Sequence, residues 1–250
     1  MAGNTGRPGT TVTSRVLALL GAFDAEHRAL TLTQLARRAS LSPATAHRLL
    51  GELVDGGLLV RRPIGDYVVG HRLWDLGLLA PVQSGLRQVA SPFLHDLYGA
   101  TRATVHLAVR DGTKVLYLDR LAGSMSVPVV SQIGSRLPMH ATGVGKVLLA
   151  HAPEDVQAAV LADLPRITPY TITSPARLAD QLRRVRRDGY AQTSEEMSLG
   201  ACSLAVPVRT GTGKVIASLG VVVAQLRRDR PRLLSALQVA ARGIGRCSTD

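Results

Sequence analysis

The sequence predicts an α+β protein with two domains, the first mostly helical and the second built from a sheet and helices. Short amphipathic helical patterns occupy residues 11–57, and a β-hairpin pattern follows them directly. From residue 103 onward, apolar residues alternate with a period of two between further helical stretches. A chain of 250 residues is long enough for two such domains, each large enough to form its own core.

The segment from Leu30 to Gly57 predicts two short helices joined by a tight turn. We expect Thr33 to cap the first helix, and Ser42 followed by Pro43 to cap and open the second. A short connection makes the helices cross steeply, which leaves the start of the second helix free to enter a DNA major groove. Spacing alone leaves open an ordinary helical hairpin in an all-α domain. The predicted buried stripe consists of Leu32, Leu35, Ala36, Leu41, Ala46, Leu49, Leu50 and Leu53.

The residues on either side of this helix pair favour a DNA-binding module. Gly56 and Gly57 suit a helix C-terminus, and residues 58–69 carry two apolar runs separated by turn-forming residues, which predicts a hairpin. A further amphipathic helix is predicted over Thr11–Phe23. Three helices followed by a hairpin form a winged helix-turn-helix domain, which we place at residues 11–70 after a flexible tail at 1–10.

The candidate DNA contacts are the polar and small residues that the buried stripe leaves outside. Thr45 can bond a phosphate, His47 can bond a base edge, and Arg48 can fork onto guanine. Arg61 and Arg62 lie on the hairpin, where they can meet flanking phosphates. The predicted DNA-binding set is Ser42, Ala44, Thr45, His47, Arg48, Arg61 and Arg62.

The second domain is predicted to contain an antiparallel sheet with helices on its faces. Asp111 and Gly112 give the strongest hairpin pattern, between two β-rich runs. Further strands are predicted at Val127–Gln132, Ser203–Arg209 and Val215–Gln225, and helices at Gly143–Ala150, Pro153–Leu161 and Pro175–Asp188.

Composition restricts the class of protein. The net charge of +12 lies mainly outside the first domain, because residues 1–85 carry nine arginines against six acidic residues, a net charge of +3. We interpret the arginine clusters at residues 182–189 and 225–232 as solvated surface, with extra non-specific attraction to DNA as the alternative. Cys202 and Cys247 form neither a disulfide framework nor a metal-ligand pattern. No signal peptide or membrane span is evident, so we expect a cytoplasmic protein without metal or cofactor.

Five segments in order resemble the IclR family of bacterial transcriptional regulators, and the resemblance runs from about Val12 to about Gly245. The segments are Leu32–Arg37, Thr45–Leu50, Leu137–Ala150, Arg186–Glu196 and Leu204–Val208. The resemblance implies a transcriptional regulator rather than an enzyme, and a repressor rather than an activator. It implies double-stranded operator DNA and a small-molecule effector as partners, and a homodimer or a dimer of dimers.

The resemblance also implies the domain layout and the effector site. The apolar pattern predicts two helices on either side of a break near Pro81–Gly85. The resemblance makes the first a linker helix, placed at residues 71–86, and places a GAF-like effector-binding domain at 87–247. The linker helix would pair in a dimer through Leu73, Trp74 and Leu76, although packing of Trp74 against its own domain is equally open. Free N–H groups at the helix start near Gly143 could hold a ligand carboxylate. The implied effector residues are His140, Thr142, Gly143, Val144, Thr193, Ala201, Ser203, Gly220 and Val222.

Departures from the family pattern bear on specificity. Ser40 replaces a turn glycine, and Pro43 and Ala44 replace a polar pair, which predicts a distinct operator preference. Several implied effector residues differ from the polar residues of other family members. Thr193 replaces an acidic residue that can occur there, and Ser203 replaces a frequent cysteine. Gly220 and Val222 replace serines that can bind the ligand. We therefore expect the effector to be a larger or more apolar acid than a small keto acid, such as an aromatic acid. The alternative is that these positions only pack and that no effector binds.

Two enzyme hypotheses are not supported, because the sequence lacks residues or motifs that each would require. Lys146 follows Gly145 before a helix, but His140 and Val147 replace the glycine and hydroxyl residue that a phosphate-binding loop requires. His140, Cys202 and Glu195 could be imagined as a nucleophile triad, yet no local motif accompanies them. The sequence predicts no catalytic residues.

Overall fold

Local capping chemistry defines the helices of the N-terminal unit. The computed structural model describes residues 11–24, 26–79, 84–123, 126–226 and 229–248, and contacts divide the chain into units 1–82 and 83–250. The elements of the first unit are α1 (Val12–Leu20), β1 (Ala29–Thr31), α2 (Leu32–Arg38), α3 (Pro43–Asp55), β2 (Leu59–Arg61), β3 (Asp66–Val69) and α4 (His71–Leu78). The three strands form an antiparallel sheet in the order β1-β3-β2. Leucines of α1, α2 and α3 form the core beneath this sheet.

The predicted cap of α2 was wrong by two residues. Thr31 is the N-cap, and its side chain accepts from Gln34 N while the Gln34 side chain accepts from Thr31 N at 2.8 Å. This reciprocal pair requires a Gln or Glu three residues after the cap. If Thr33 were the cap, that position would be Ala36, which cannot complete the pair. Thr33 therefore lies inside α2.

The turn and the second cap match the sequence prediction. Ser42 caps α3 and Pro43 opens it. Ser40 has a φ of 55°, in the left-handed region that the replaced glycine would adopt without strain. The predicted helix at Thr11–Phe23 is shorter than expected, because α1 ends at Leu20 with Gly21 as its C-cap. The hairpin of β2 and β3 forms the predicted wing.

The second unit is one six-stranded antiparallel sheet with helices on both faces, which confirms the α+β class. Its strand order is β6-β5-β4-β9-β8-β7. The helices α5 and α9 cover one face, and α6 and α8 cover the other. The elements are α5 (Ser84–Thr101), β4 (Thr104–Asp111), β5 (Lys114–Leu121), β6 (Arg136–Pro138), α6 (Gly143–Ala150), α7 (Glu154–Ala162), α8 (Pro175–Asp188), β7 (Ala191–Ser194), β8 (Cys202–Arg209), β9 (Val215–Val223) and α9 (Arg230–Cys247).

The predicted strand at Val127–Gln132 is absent. Residues 127–132 are neither helix nor strand, and the third strand of this part of the sheet is β6, which pairs with β5 through Leu137 and Val115. Pro128 is the second residue of the predicted strand and has no N–H to donate to a neighbour. The segment instead crosses the sheet face occupied by α6, where it contributes Ser131.

The proposed linker region contains the end of one helix and the start of another. α4 ends at Leu78 and α5 begins at Ser84, so the predicted 71–86 helix is not continuous over its described residues. The proposed tail at 1–10 and residues 80–83 lie outside the described residues. Among the helices that the structure describes, none is both long and apolar enough to cross a membrane.

Candidate functional site

The exposed face of α3 presents most of the predicted DNA contacts. Ala44, His47 and Arg48 are exposed, whereas Ala46, Leu49 and Leu50 are fully buried, so the predicted division between an inner stripe and an outer face is observed. The Arg48 guanidinium lies 2.5 Å from Glu52 Oε1 one turn later. Only one nitrogen of the guanidinium makes this bond, so Arg48 keeps other N–H donors for a base or a phosphate.

Two predicted contacts hold the start of α3 together. Ser42 Oγ accepts from Thr45 N at 3.3 Å and donates to Thr45 Oγ1 at 2.9 Å. These hydroxyls therefore satisfy an otherwise unpaired helix N–H. Thr45 Oγ1 keeps a lone pair and a rotatable hydrogen for a further partner, so a structural role and a DNA contact are compatible.

The two wing arginines have different surroundings. The Arg61 guanidinium lies 5.9 Å from the centre of the Tyr67 ring and is exposed. Arg62 forms two hydrogen bonds with the carboxylate of Asp66, with Nε to Oδ1 at 2.8 Å, and this pair lowers the pKa of Asp66. Arg62 thus closes the wing turn, whereas Arg61 is the freer cation. The structure adds Ile64, which is 80 % exposed at the wing tip and which the sequence analysis did not select.

The predicted effector residues converge on a cavity at the N-terminus of α6, which we call the α6 cavity. Its empty volume, which includes the open solvent at its mouth, is about 490 Å³. The sheet strands β4, β5, β8 and β9 form its floor and α6 forms one wall. Eight of the nine predicted effector residues line it: Thr142, Gly143, Val144, Thr193, Ala201, Ser203, Gly220 and Val222.

His140 is the ninth predicted effector residue, and the structure does not place it on the cavity. It is 1 % exposed, and its Nε2 lies 3.0 Å from the backbone oxygen of Pro165. Burial lowers its pKa, so the ring is held neutral in a bond that anchors the segment before α6. The backbone direction reverses between His140 and Thr142, and pattern matching could not show which side chains would face inward.

The first turn of α6 is organised by hydroxyl groups. Thr142 caps the helix through Gly145 N at 3.1 Å. Gly143 N donates to Ser203 Oγ at 3.2 Å, and Ser203 Oγ lies 2.6 Å from Thr193 Oγ1. The N–H of Gly143 is therefore already paired, contrary to the expectation that it is free. The N–H of Val144 makes no hydrogen bond with the residues that the structure describes, as expected for the second residue of a helix.

The cavity glycines also have a packing role. A Cβ at Gly143 would lie 2.5 Å from Ser203 Oγ, and one at Gly220 would lie 2.8 Å from Val144 Cγ1. Both contacts are too short for real atoms, so these glycines let α6 approach the sheet closely. A serine at Gly220, which the family can carry, would thus require the Val144 side chain or α6 to shift.

Sequence reasoning missed a polar wall of the α6 cavity. His106 on β4 and Ser131 both line the cavity and are 3 % exposed, with His106 Nε2 and Ser131 Oγ 2.8 Å apart. Tyr117 on β5 packs edge-on against His106, with ring centres 5.0 Å apart. The sequence could have indicated His106, because it lies between the apolar residues Val105 and Leu107 on one strand. Its side chain must therefore point to the sheet face opposite to theirs.

A buried ion pair ties α6 to the segment beside the cavity. Lys146 is 1 % exposed, and its Nζ lies 2.6 and 2.7 Å from the two carboxylate oxygens of Glu196 and 2.7 Å from Gln181 Oε1. Burial lowers the pKa of Lys146, and the ion pair opposes that change. Met197 and Ser198, which follow Glu196, line the cavity. Lys146 is thus a structural charge, as its failure to fit a phosphate loop suggested.

The residues of the imagined triad bond separate partners. His140 meets Pro165, Cys202 Sγ lies 3.5 Å from Ser194 Oγ, and the Glu195 carboxylate accepts from Gly200 N. No hydrogen bond joins any two of the three within the part of the chain that the structure describes.

Both units match models of one protein family. Residues 12–63 match the IclR helix-turn-helix domain, and residues 80–246 match the C-terminal domain of the bacterial transcriptional regulator IclR. The chain belongs to the IclR family. It is accordingly a helix-turn-helix transcriptional regulator and not an enzyme, as the sequence predicted.

Individual IclR-family members are similar over almost the whole chain. The regulator XynR of Escherichia coli is 33 % identical over 241 residues, covering 92 % of this chain and 96 % of that protein. The p-hydroxybenzoate hydroxylase transcriptional activator of Acinetobacter baylyi is 34 % identical over 225 residues, covering 87 % and 82 % respectively. The crystal structure of an IclR homolog from Microbacterium hydrocarbonoxydans complexed with 4-hydroxybenzoate is 36 % identical, with a TM-score of 0.89, and covers 94 % of this chain and 98 % of that one.

Proposed function

We propose that this IclR-family regulator binds an aromatic monocarboxylate in the α6 cavity, and that the ligand changes its affinity for operator DNA. The observation that carries the proposal is the position of the cavity at the N-terminus of α6. Helix N-termini favour anions, because unpaired N–H groups and the helix dipole both point at the ligand. The N–H of Val144 is the available donor, beside the hydroxyl of Ser203.

The remaining walls favour an aromatic body for the ligand. Apolar side chains predominate in the lining: Val129, Val130, Leu137, Ala141, Val144, Met197, Ala201 and Val222. A small keto acid would leave this apolar surface uncovered, whereas an aromatic ring would bury it. The similarity to a 4-hydroxybenzoate complex and to an activator of p-hydroxybenzoate hydroxylase supports the same ligand class.

We propose that α3 docks in the major groove and the wing lies along the flanking phosphates. Ser42, Ala44, Thr45, His47 and Arg48 would face the groove, and Arg61 and Arg62 the backbone. Two copies, joined through Leu73, Trp74 and Leu76, would present two such heads to a palindromic operator in the bacterial cytoplasm. We propose repression as the sign of regulation, because a protein bound over a promoter blocks polymerase; the Acinetobacter relative is an activator.

Calorimetric titration of the full chain tests the ligand proposal. We expect benzoate and hydroxybenzoates to bind and pyruvate to give no measurable heat. Ala201→Phe, which fills the cavity, should abolish binding, whereas Ala176→Phe, which adds the same ring on an exposed residue of α8, should leave it unchanged. Binding that survives Ala201→Phe would place the ligand elsewhere.

The alternative is a regulator that needs no effector. A ligand shifts an equilibrium only when it binds the two states unequally. Operator titrations with and without saturating aromatic acid therefore decide between the two: a changed dissociation constant supports the proposal, and an unchanged one supports effector-independent binding.

A further inference from the structure

The polar wall of the α6 cavity contains a histidine with one unused ring nitrogen. His106 lines the cavity, is 3 % exposed, and has its Nε2 2.8 Å from Ser131 Oγ. Its Nδ1 makes no hydrogen bond with any residue that the structure describes. An unpaired ring nitrogen on a cavity wall can accept a hydrogen bond from a polar group of a ligand or donate one to it.

The imidazole is neutral and adaptable. Burial lowers the pKa of His106 to about 3, and the positive charge of Arg120 acts in the same direction. Arg120 is the register partner of His106 on β5, so the two side chains share a sheet face. A neutral imidazole has one donor and one acceptor nitrogen, and the Ser131 hydroxyl can serve either. The Nδ1 atom can therefore accept from a hydroxyl group or donate to it.

Neighbouring atoms on the same wall are also unsatisfied. Thr104 is 0 % exposed, and its Oγ1 has no hydrogen-bond partner among the described residues; the same holds for Arg120 Nε. Thr104 precedes His106 by two residues on β4 and therefore faces the same side of the sheet. Its register partner, Val222, lines the cavity. The polarity of this wall thus extends beyond one side chain.

The two polar ends of the cavity suit a ligand with polar groups at both ends. Ser203 and the N–H of Val144 mark one end, over β8, and His106 marks the other, on β4. The strand β9 lies between β8 and β4, so the two ends are separated by roughly 10 Å, which is two inter-strand spacings. Between them lie Gly220 and Val222, which offer no side-chain hydrogen bonds.

We propose that His106 is a specificity-determining residue that binds a hydroxyl group on the ring of an aromatic acid, at the end opposite the carboxylate. The inference rests on the proposed effector function and narrows its ligand class to hydroxylated aromatic acids. Ser131 positions the imidazole. A ligand without the hydroxyl leaves Nδ1 without a ligand hydrogen bond, and that loss is the basis of discrimination.

Calorimetry with matched ligands tests the assignment on the full chain. The probes are benzoate, 4-fluorobenzoate, 3-hydroxybenzoate and 4-hydroxybenzoate. We expect the wild-type protein to bind a hydroxybenzoate at least about tenfold more tightly than benzoate or 4-fluorobenzoate. His106→Phe should reduce this preference to less than about twofold, mainly through weaker hydroxybenzoate binding. His106→Gln, which keeps a donor and an acceptor, should restore part of the preference.

The outcomes separate the inference from the proposed function. Equal affinity for 4-fluorobenzoate and both hydroxybenzoates in the wild-type protein would overturn the role of His106, even if His106→Phe failed to fold. A preference that persists in folded His106→Phe, as judged by circular dichroism, would overturn it as well. Absence of binding by all four acids would overturn the proposed function itself.

Discussion

At the scale of single residues, His106 links the cavity to the acid stability of the protein. Its pKa is lowered by burial from 6.5 to about 3. The unfolded chain therefore binds this proton more tightly, so the stabilising contribution is complete above about pH 6.5 and is lost as the pH falls towards 3. We expect His106 to remove about 2 kcal/mol of unfolding free energy between pH 7 and pH 5.

Urea unfolding followed by circular dichroism at several pH values measures this effect. His106→Phe should show a shallower loss of stability with acid than the wild-type protein. His140 and His151, whose pKa values burial also lowers, remain in both proteins and provide a common background. Identical pH dependence in the two proteins would show that His106 is protonated at little cost in the folded state.

Arg48 and Arg61 should affect DNA binding in different ways. Arg48→Ala should cost about 1–3 kcal/mol on the operator and relax the preference at one base pair, because the proposed docking of α3 directs this residue at base edges. Arg61→Ala should weaken all sequences alike and reduce the salt slope by about one. Glu52→Gln provides the control: it releases Arg48 from its ion pair and should strengthen binding.

Anisotropy titrations over a salt series, on an operator selected from a random pool, measure both effects. Arg62 is unsuitable for this comparison, since its pair with Asp66 closes the wing and its loss would also disturb the hairpin. Unchanged operator affinity in Arg48→Ala would remove this residue from the contact set.

At the scale of elements, local rules predicted some boundaries and failed for others. Ser42 with Pro43, and Asp111 with Gly112, specify their cap and turn within a few residues, so the sequence alone was sufficient. The strand expected at Val127–Gln132 does not form, because Pro128 cannot donate a backbone hydrogen bond. The helix α9 was not predicted, because the arginines near its start obscure its apolar periodicity in the sequence. Ser131 pairs with one ring nitrogen of His106 and leaves the other unpaired. Because Ser131 is distant from His106 in sequence, no local pattern could reveal this arrangement.

Close packing of α9 gives the element-scale prediction. A Cβ at Gly245 would lie 1.9 Å from the backbone oxygen of Arg209 on β8. Gly245→Ala must therefore displace α9 from the sheet, and overpacking of this kind costs about 1–3 kcal/mol. Gly99→Ala on α5 has no atom within 4 Å of the new Cβ and should stabilise the protein by about 0.5–1 kcal/mol.

Thermal or urea unfolding of the two variants checks the contrast. Because both replace a helix glycine with alanine, intrinsic helix propensity is the same in each, and the difference isolates the contact with Arg209. Stabilisation by Gly245→Ala would mean that α9 can shift away from β8 at little cost.

At the scale of the whole molecule, the proposed dimer depends on the exposed apolar residues of α4. Trp74 is 67 % exposed and Leu76 is 51 % exposed, so Trp74 does not pack into its own unit, which was the alternative left open by the sequence. Leu79, directly after α4, is 79 % exposed. Apolar surface of this kind favours burial against a second copy, and two copies are needed to place two recognition helices roughly 34 Å apart on DNA.

Trp74 is the only tryptophan in the sequence, and its fluorescence therefore reports directly on the surroundings of α4. We expect its emission to shift to shorter wavelength as protein concentration rises, in parallel with dimer formation in sedimentation equilibrium. Leu76→Asp should raise the dimer dissociation constant at least about tenfold, since a charge would be buried without a partner.

Ile64→Asp is the matched control, because Ile64 is also an exposed apolar residue of the same unit but lies at the wing tip rather than on α4. It should leave sedimentation unchanged. If Leu76→Asp also leaves the dimer intact, α4 is not the contact between copies. Association would then depend on the second unit, and the spacing of the DNA-binding heads would be set by that unit rather than by α4.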